Sequence, residues 1–127
     1  MLQRILLIGL AGLLGTLARY ATSGFIAKRF GENFPTGTLV VNVVGCFLAG
    51  FLFYVLQERF LANELVRTVI MIGFLGGFTT FSSYGLQTFT LLRDGEMLLA
   101  VTNVVVSNVA GLLTVWLGYS VARMIQV

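Results

Sequence analysis

Hydroxyl and amide side chains occur within otherwise apolar segments of this chain, and such groups can bind a small ion or solute. The apolar segment 68–92 contains the stretch GFLGGFTTFSSY at 73–84, with Thr80 at its centre. If this segment crosses a bilayer, Gly76 and Gly77 lie near the midplane, where lipid cannot satisfy the backbone groups of a broken helix. The stretch therefore predicts a third membrane helix broken at the midplane, where the break lies against protein or lines a wet cavity.

Three asparagines extend the polar character to two other apolar segments. Asn42 lies in the second segment, whereas Asn103 and Ser107 lie at helical i and i+4 positions of the last one and share a face. Asn108 is expected to point away from that face. A buried amide in lipid needs a hydrogen-bond partner, so each asparagine either bonds a neighbouring helix or donates N–H groups to a passing solute. Together with the hydroxyls of 73–84, they indicate a polar track.

The charge of the transported species is constrained by the missing carboxylates. Cation pathways are usually lined by Asp or Glu rings or by carbonyl filters, whereas Arg19 is the one ionisable side chain well inside a predicted span. This favours an anion or a neutral solute. A half-helix that begins near Thr79 and Thr80 would present free N–H groups, and the half-helix before it would leave carbonyls free. The break thus offers donors for an anion and oxygen ligands for a hard cation.

Two aromatic residues, Phe81 and Tyr84, share a face directly after the predicted break. The ring edges of aromatic side chains carry positive partial charge, so an edge-on ring can face an anion. The same pair is also compatible with ordinary packing, and the pattern alone leaves both interpretations open.

The composition indicates an integral membrane protein. The chain has 127 residues, of which 57% are hydrophobic and 10% charged, and its mean hydropathy is +0.95. These values lie far from those of soluble domains. The charge-free intervals predict one all-α domain over 1–127 with four spans. The predicted spans are approximately 4–27, 37–57, 67–92 and 96–123. A cleaved signal peptide is the competing interpretation of the N-terminal run, but Arg19 and Tyr20 interrupt the place where a cleavage site would lie.

Several classes of protein are disfavoured by residue types. The chain has no His and a single Cys, Cys46, and no predicted span contains a carboxylate apart from Glu96 at the very start of the last one. An enzyme, a transition-metal site and a proton relay of ordinary kind are therefore not expected. The net charge of +3 comes from bases scattered at helix ends, which argues against nucleic-acid binding.

The distribution of Lys and Arg bears on orientation. Four spans place Arg4, Arg59, Arg67 and Arg123 on one side of the membrane and Lys28, Arg29 and Arg93 on the other, with Arg19 added to the second side if it reaches that interface. Orientation normally follows an excess of basic residues in cytoplasmic loops, and here the two sides are nearly balanced. Insertion in both orientations and an antiparallel homodimer are one interpretation, and a small local bias towards one orientation is the other.

The motifs of this chain resemble those of the Fluc fluoride channels of the CrcB family. The resemblance rests on GTLAR at 15–19, GTLVVN at 37–42 and GFLGGFTTFSSY at 73–84, and it spans the whole chain. It implies a passive, fluoride-selective channel that exports fluoride across the bacterial inner membrane and so relieves fluoride toxicity. It also implies a dual-topology antiparallel homodimer with two pores and a structural Na⁺ at its centre.

The resemblance implies roles for individual residues. The sodium ligands would be the backbone carbonyls of Gly76 and Thr79, and Arg19 would be the vestibule cation. The implied fluoride-pore residues are Asn42, Thr80, Phe81, Ser82, Ser83, Tyr84, Asn103 and Ser107. Two positions depart from the family pattern: Tyr84 stands where Phe is frequent, and Gln87 stands where many members have a carboxylate.

Two other functions compete with the channel. A small dual-topology multidrug exporter has similar length, but that class relies on an intramembrane Glu in its first helix, and the first span here has none. A non-transporting membrane assembly subunit would leave the polar stretch and the three asparagines without a reason.

Overall fold

The fold is a bundle of helices, seen in a computed structural model that describes residues 1–125. Four helical segments of the described chain are long and apolar enough to cross a membrane. Helix α1 spans Leu2–Phe30, and α2 spans Thr36–Arg59. The third span, Glu64–Arg93, consists of α3 (64–78) and α4 (Phe81–Arg93), and the fourth is α5 (Met97–Met124). The predicted all-α fold is confirmed, with four helices that are long and apolar enough to span a membrane.

Short connections with specific terminating residues separate the spans. Gly31 has a φ of 83°, a conformation that favours glycine, and its N–H donates to the Ala27 carbonyl oxygen at 2.8 Å. The α3 helix begins after Asn63, whose side-chain oxygen accepts a hydrogen bond from the Val66 N–H at 2.9 Å. Gly95, with a φ of 81°, lies in the turn before α5. Such short turns make successive helices run in opposite directions.

Two helical segments are wound more widely than an α-helix. The last part of α2, Tyr54–Arg59, and the middle of α3, Val69–Leu75, are π-helical. Segments of this kind are rare and often occur near functional sites. The π-helical segment of α3 packs against α1 and leads directly into the interruption of the third span.

Glycines allow close contact within two helix pairs. In the α2–α5 pair, a Cβ added to Gly50 would overlap the Val115 carbonyl oxygen, and one added to Gly118 would overlap the Phe47 carbonyl oxygen. In the α1–α3 pair, a Cβ on Gly15 would overlap the Phe74 carbonyl oxygen. Because membrane helices gain little from apolar burial relative to lipid, close backbone packing is a main source of their association.

The third span is interrupted at Thr79 and Thr80. Both residues are extended, with φ and ψ of −83° and 158° at Thr79 and −149° and 116° at Thr80. The expectation that Gly76 and Gly77 form the break is wrong, since both lie in a helical turn. Gly77 instead serves packing, because a Cβ there would come within 2.5 Å of the Gly12 carbonyl oxygen. β-Branched threonines adopt the extended conformation readily.

Replacing Gly50 with alanine tests the α2–α5 contact. We expect Gly50→Ala to lower the free energy of unfolding by about 1–3 kcal/mol, the usual cost of overpacking, because the new methyl overlaps a backbone oxygen that cannot rotate away. Thermal unfolding in detergent measures the change. Gly24→Ala is the matched control, because no atom lies within 4 Å of a Cβ at that helical position. Equal melting of the two variants would contradict the contact.

Candidate functional site

The interruption of the third span is held by one side chain from another helix. The Asn42 Nδ2 donates to the Thr80 carbonyl oxygen at 2.9 Å, and the Thr80 N–H donates to the Asn42 Oδ1 at 2.8 Å. The two bonds satisfy both backbone polar groups of Thr80, which is nearly buried. A backbone break inside a membrane needs such partners. Asn42 is therefore the residue that stabilises the extended conformation at Thr80 in lipid.

The Thr80 side chain starts the second half of the span. Its Oγ1 accepts a hydrogen bond from the Ser83 N–H at 3.1 Å, donates to the Ser83 Oγ at 3.0 Å and lies 3.4 Å from the Ser82 Oγ. This is the N-cap arrangement that threonine commonly provides. It places three hydroxyl groups at the positive end of the α4 dipole.

Two backbone carbonyls beside the interruption lose their usual helical donors. The Thr80 N–H would bond the Gly76 carbonyl in a continuous helix, but it bonds Asn42 instead. The Ser83 N–H would bond the Thr79 carbonyl, but it bonds the Thr80 hydroxyl instead. The residues that the family resemblance implies as sodium ligands, Gly76 and Thr79, are thus the two whose carbonyl oxygens these side-chain bonds release.

Arg19 contacts the same region from α1. Its Nε donates to the Gly77 carbonyl oxygen at 3.1 Å, and this is its one hydrogen bond to the described residues. The Gly77 carbonyl lies in the last turn of α3, where the helix dipole is negative, so the guanidinium compensates charge at that end. A guanidinium carries five N–H groups, and the remaining ones stay available to a ligand.

Two cavities meet at Thr80. The first has a volume of about 220 Å³ and the second about 440 Å³. The first is lined by Thr16, Arg19, Tyr20, Ser23, Thr38, Val41, Thr80 and Ser83. The second is lined by Asn42, Gly45, Cys46, Ala49, Met71, Leu75, Gly76, Thr79, Thr80, Phe81, Tyr84, Ser107 and Asn108. Most of the residues implied by the family resemblance therefore surround one point of the fold, the interruption itself.

The two aromatic residues after the interruption lie in different surroundings. The rings of Phe81 and Tyr84 have centroids 5.4 Å apart and planes inclined by 49°. Tyr84 is partly buried, whereas Phe81 is 83% exposed in the single chain. The Phe81 ring thus projects from the surface of the chain beside the second cavity, and so does the exposed Ser82.

Asn103 occupies a buried seam between α4 and α5. It is 2% exposed, its Nδ2 donates to the Thr88 Oγ1 at 2.9 Å, and its Oδ1 accepts from the Ser107 Oγ at 3.3 Å. The structure does not bring Asn103 to either cavity, although Ser107 links it to the second one. The sequence analysis did not identify Thr88. The pattern that could have identified it is its position four residues after Tyr84, which places its hydroxyl on the same helical face.

Asn108 does not point away from the site. Its Nδ2 donates to the Tyr84 hydroxyl oxygen at 3.2 Å and to the Val104 carbonyl oxygen at 2.7 Å, and the residue lines the second cavity. Asn108 is exposed whereas Asn103 is buried, so it does lie off the face of Asn103 as helix rotation predicts. Its side chain nevertheless meets that of Tyr84 across the gap between α4 and α5.

Gln87 lies in a third cavity of about 440 Å³ near the start of α2. Its Oε1 is buried, and so is the Oγ1 of Thr36 on the same cavity; neither has a hydrogen-bond partner within the described part of the chain. Buried polar atoms of this kind usually bond ordered water. Ser83 lines both this cavity and the first one, so polar groups continue from the α1–α2 connection to the interruption.

The fold defines a small multi-pass membrane protein with hydroxyl and amide side chains gathered at an interrupted helix. Residues 6–119 match the sequence model of the family described as "CrcB-like protein, Camphor Resistance (CrcB)". The chain belongs to this CrcB family, and the resemblance inferred from its motifs is confirmed.

Three similar proteins share the same name. A protein of Opitutus terrae, named "Fluoride-specific ion channel FluC", is 51% identical over 119 residues, which are 92% of this chain and 90% of the relative. A protein of Citrifermentans bemidjiense with the same name is 46% identical over 122 residues, covering 96% of this chain and 98% of the relative. A protein of Nitrosococcus oceani, also so named, is 42% identical over 125 residues, covering 98% of this chain and 100% of the relative.

Replacing Asn42 with leucine tests whether its hydrogen bonds to Thr80 stabilise the interruption. Asn42→Leu keeps the approximate volume but leaves the Thr80 N–H and carbonyl without partners, at a cost of about 1–3 kcal/mol for each buried group. We expect a lower free energy of unfolding, measured by thermal melting in detergent. Val44→Leu, a change on the exposed side of the same helix, should melt like the wild type. If Asn42→Leu also melts like the wild type, the interruption does not depend on Asn42.

Proposed function

We propose that this chain forms a passive, fluoride-selective channel that exports fluoride across the inner membrane of a bacterium and so relieves fluoride toxicity. One observation supports it most: the third span opens at Thr79 and Thr80, and two cavities with hydroxyl and amide groups on their walls meet there. Relatives that align along nearly the whole chain are named fluoride-specific ion channels. The chain then works as a multi-pass membrane protein and not as an enzyme.

The electrostatics of the site favour an anion. The α4 helix starts at the interruption, so its positive dipole end faces the cavities. Arg19 adds a full positive charge on the first cavity. Carboxylates of the described spans lie at helix ends, as Glu58 and Glu64 do. An anion at the interruption would therefore meet hydrogen-bond donors and positive charge without a nearby negative group.

Individual donors define a path for fluoride. Asn42 uses one N–H of its amide for Thr80, and its second N–H can donate into the cavity that the residue lines. The hydroxyls of Ser82 and Ser83 and of Ser107 continue the set of donors, and the edges of the Phe81 and Tyr84 rings complete the wall. Asn103 acts indirectly, since its amide orients Ser107. Because no carboxylate lies among these groups, transport needs no proton coupling and follows the fluoride gradient.

A second copy of the chain would complete the site. Phe81 and Ser82 are exposed in the single chain although they belong to the proposed pore. Nearly balanced Lys and Arg counts allow both orientations in the membrane. An antiparallel homodimer would cover the exposed ring and bring two interruptions together, and it would form two pores.

A structural Na⁺ fits the groups beside the interruption. Among the described residues no cluster of three or more His, Cys, Asp or Glu side chains exists, so a metal ion would have to be held by other oxygens. The carbonyls of Gly76 and Thr79, released from their helical donors, suit a hard cation. Two antiparallel copies would double this set. The ion would supply positive charge that keeps the carbonyl oxygens close together.

The alternative of a small multidrug exporter is not favoured. It requires a carboxylate inside the first span, and α1 (Leu2–Phe30) contains none. An assembly subunit without transport activity does not need a polar interruption with cavities around it.

Fluoride efflux from liposomes tests the function directly. Purified protein in liposomes loaded with fluoride should release it rapidly, faster than chloride and without a proton or sodium gradient, as read by a fluoride electrode. Phe81→Ile removes the aromatic edge and should reduce the flux strongly while the dimer still assembles. Leu86→Ile, an exposed position on the same helix outside both cavities, is the matched control. Equal chloride flux, or flux only with a counter-gradient, would contradict the proposal.

The antiparallel arrangement is tested with variants in which all subunits insert into the membrane in one orientation. Three Lys residues added to the 60–63 connection and three added to the 94–96 connection lie on opposite sides of the membrane, so each set biases all subunits one way. We expect each Lys-insertion variant alone to give no fluoride flux and the co-expressed pair to restore it.

Insertions of three Ser residues at the same two places control for the changed loop length. Full activity of either Lys-insertion variant expressed alone would show that subunits of one orientation suffice, and the antiparallel homodimer would be wrong.

A further inference from the structure

The hydroxyl of Tyr84 is held in a specific hydrogen-bonding role by Asn108. The Asn108 Nδ2 donates one hydrogen to the Tyr84 oxygen at 3.2 Å and one to the Val104 carbonyl oxygen at 2.7 Å. The bond to a backbone carbonyl identifies this atom as the amide nitrogen, since an oxygen there would face another oxygen. Tyr84 is therefore the acceptor in its bond with Asn108.

A tyrosine hydroxyl both accepts and donates. Because its oxygen accepts from Asn108, its proton must point elsewhere, and no described residue accepts it. Tyr84 and Asn108 both line the second cavity, together with Asn42, Thr80 and Ser107. The arrangement leaves an O–H donor beside the cavity in which the other proposed donors lie.

A purely structural role explains the pair poorly. The α4 and α5 helices are already joined by the Asn103–Thr88 bond, whose Asn103 is 2% exposed. Asn108 is exposed in the single chain, and its amide already has a partner within its own helix, the Val104 carbonyl oxygen. The geometry is better suited to orienting the hydroxyl than to joining the helices.

We propose that Tyr84 donates its hydroxyl proton to an anion in the second cavity and that Asn108 is the positioning residue that aims this donor. The inference rests on the proposed anion-channel function and adds a directed hydrogen bond to it. A donor bonded to a small anion gives a charge-assisted hydrogen bond, which is stronger than a neutral one. The site would then bind fluoride through Tyr84 O–H as well as through ring edges.

A double-mutant experiment tests the inference. Tyr84→Phe removes the hydroxyl and keeps the ring, Asn108→Leu removes the positioning amide, and the third protein carries both changes. The fluoride concentration that half-saturates efflux should rise about tenfold in each single variant, as expected for loss of a charge-assisted bond. It should rise no further in the double variant, because Asn108 acts through the hydroxyl. Tyr119→Phe, whose hydroxyl bonds Glu58 away from the cavity, should leave the value unchanged.

A spectroscopic measurement separates this role from a structural one. The tyrosine doublet in ultraviolet resonance Raman spectra reports whether the hydroxyl accepts or donates. The difference between wild type and Tyr84→Phe isolates Tyr84, and adding fluoride in place of gluconate should change it towards a donating hydroxyl. In Asn108→Leu this response should weaken.

Either of two efflux results would overturn the inference: an unchanged half-saturating concentration in Tyr84→Phe, or an Asn108→Leu effect that persists in full when Tyr84 is already Phe. An absent Raman response to fluoride would overturn it as well. Failure of the proposed function is distinguishable, because it would appear as absent fluoride flux in the wild-type protein.

Discussion

A break in a membrane helix must give its backbone polar groups new partners, and the structure of the site depends on how this chain supplies them. The Asn42 amide bonds both the N–H and the carbonyl of Thr80. The Thr80 hydroxyl then caps the following helix. The Gly76 and Thr79 carbonyls and the N-terminus of α4 are left without intrahelical partners beside the second cavity. The backbone groups proposed to bind ions are therefore free because Asn42 and the Thr80 side chain take up the hydrogen bonds at Thr80 and Ser83.

Close helix packing brings these partners within reach. The α1–α3 contact requires glycine at Gly15 and Gly77, because a methyl group at either position would approach backbone atoms too closely. Gly45 on α2 similarly leaves room for the Thr79 side chain. These contacts hold α1 and α2 beside the interruption, where Arg19 bonds Gly77 and Asn42 bonds Thr80. Gly73 and Gly77 of the third span therefore contribute through packing, whereas Thr79 and Thr80 form the break.

Much of the fold could be predicted from residue order alone. Helix number, the short connections and the membrane environment follow from the length of the charge-free apolar intervals, which are local properties. The family follows from three motifs along the chain. The balance of basic residues bears on orientation, and the lack of carboxylates in the interior of the predicted spans favours an anion or a neutral solute. The interruption was predicted in the right part of the third span but at the wrong residues, because glycine content does not reveal which backbone groups receive partners from another helix.

The site shows the same division residue by residue. The amino-acid sequence by itself identified Asn42, Thr80, Tyr84 and Ser107 as polar or aromatic residues in apolar surroundings, since their types are unusual there. Tertiary structure decided that Asn42 bonds Thr80, that Asn103 lies in a seam with Thr88, and that Asn108 reaches Tyr84. The physical reason is that a hydrogen bond depends on distance and direction between side chains of separate helices, and only packing sets those.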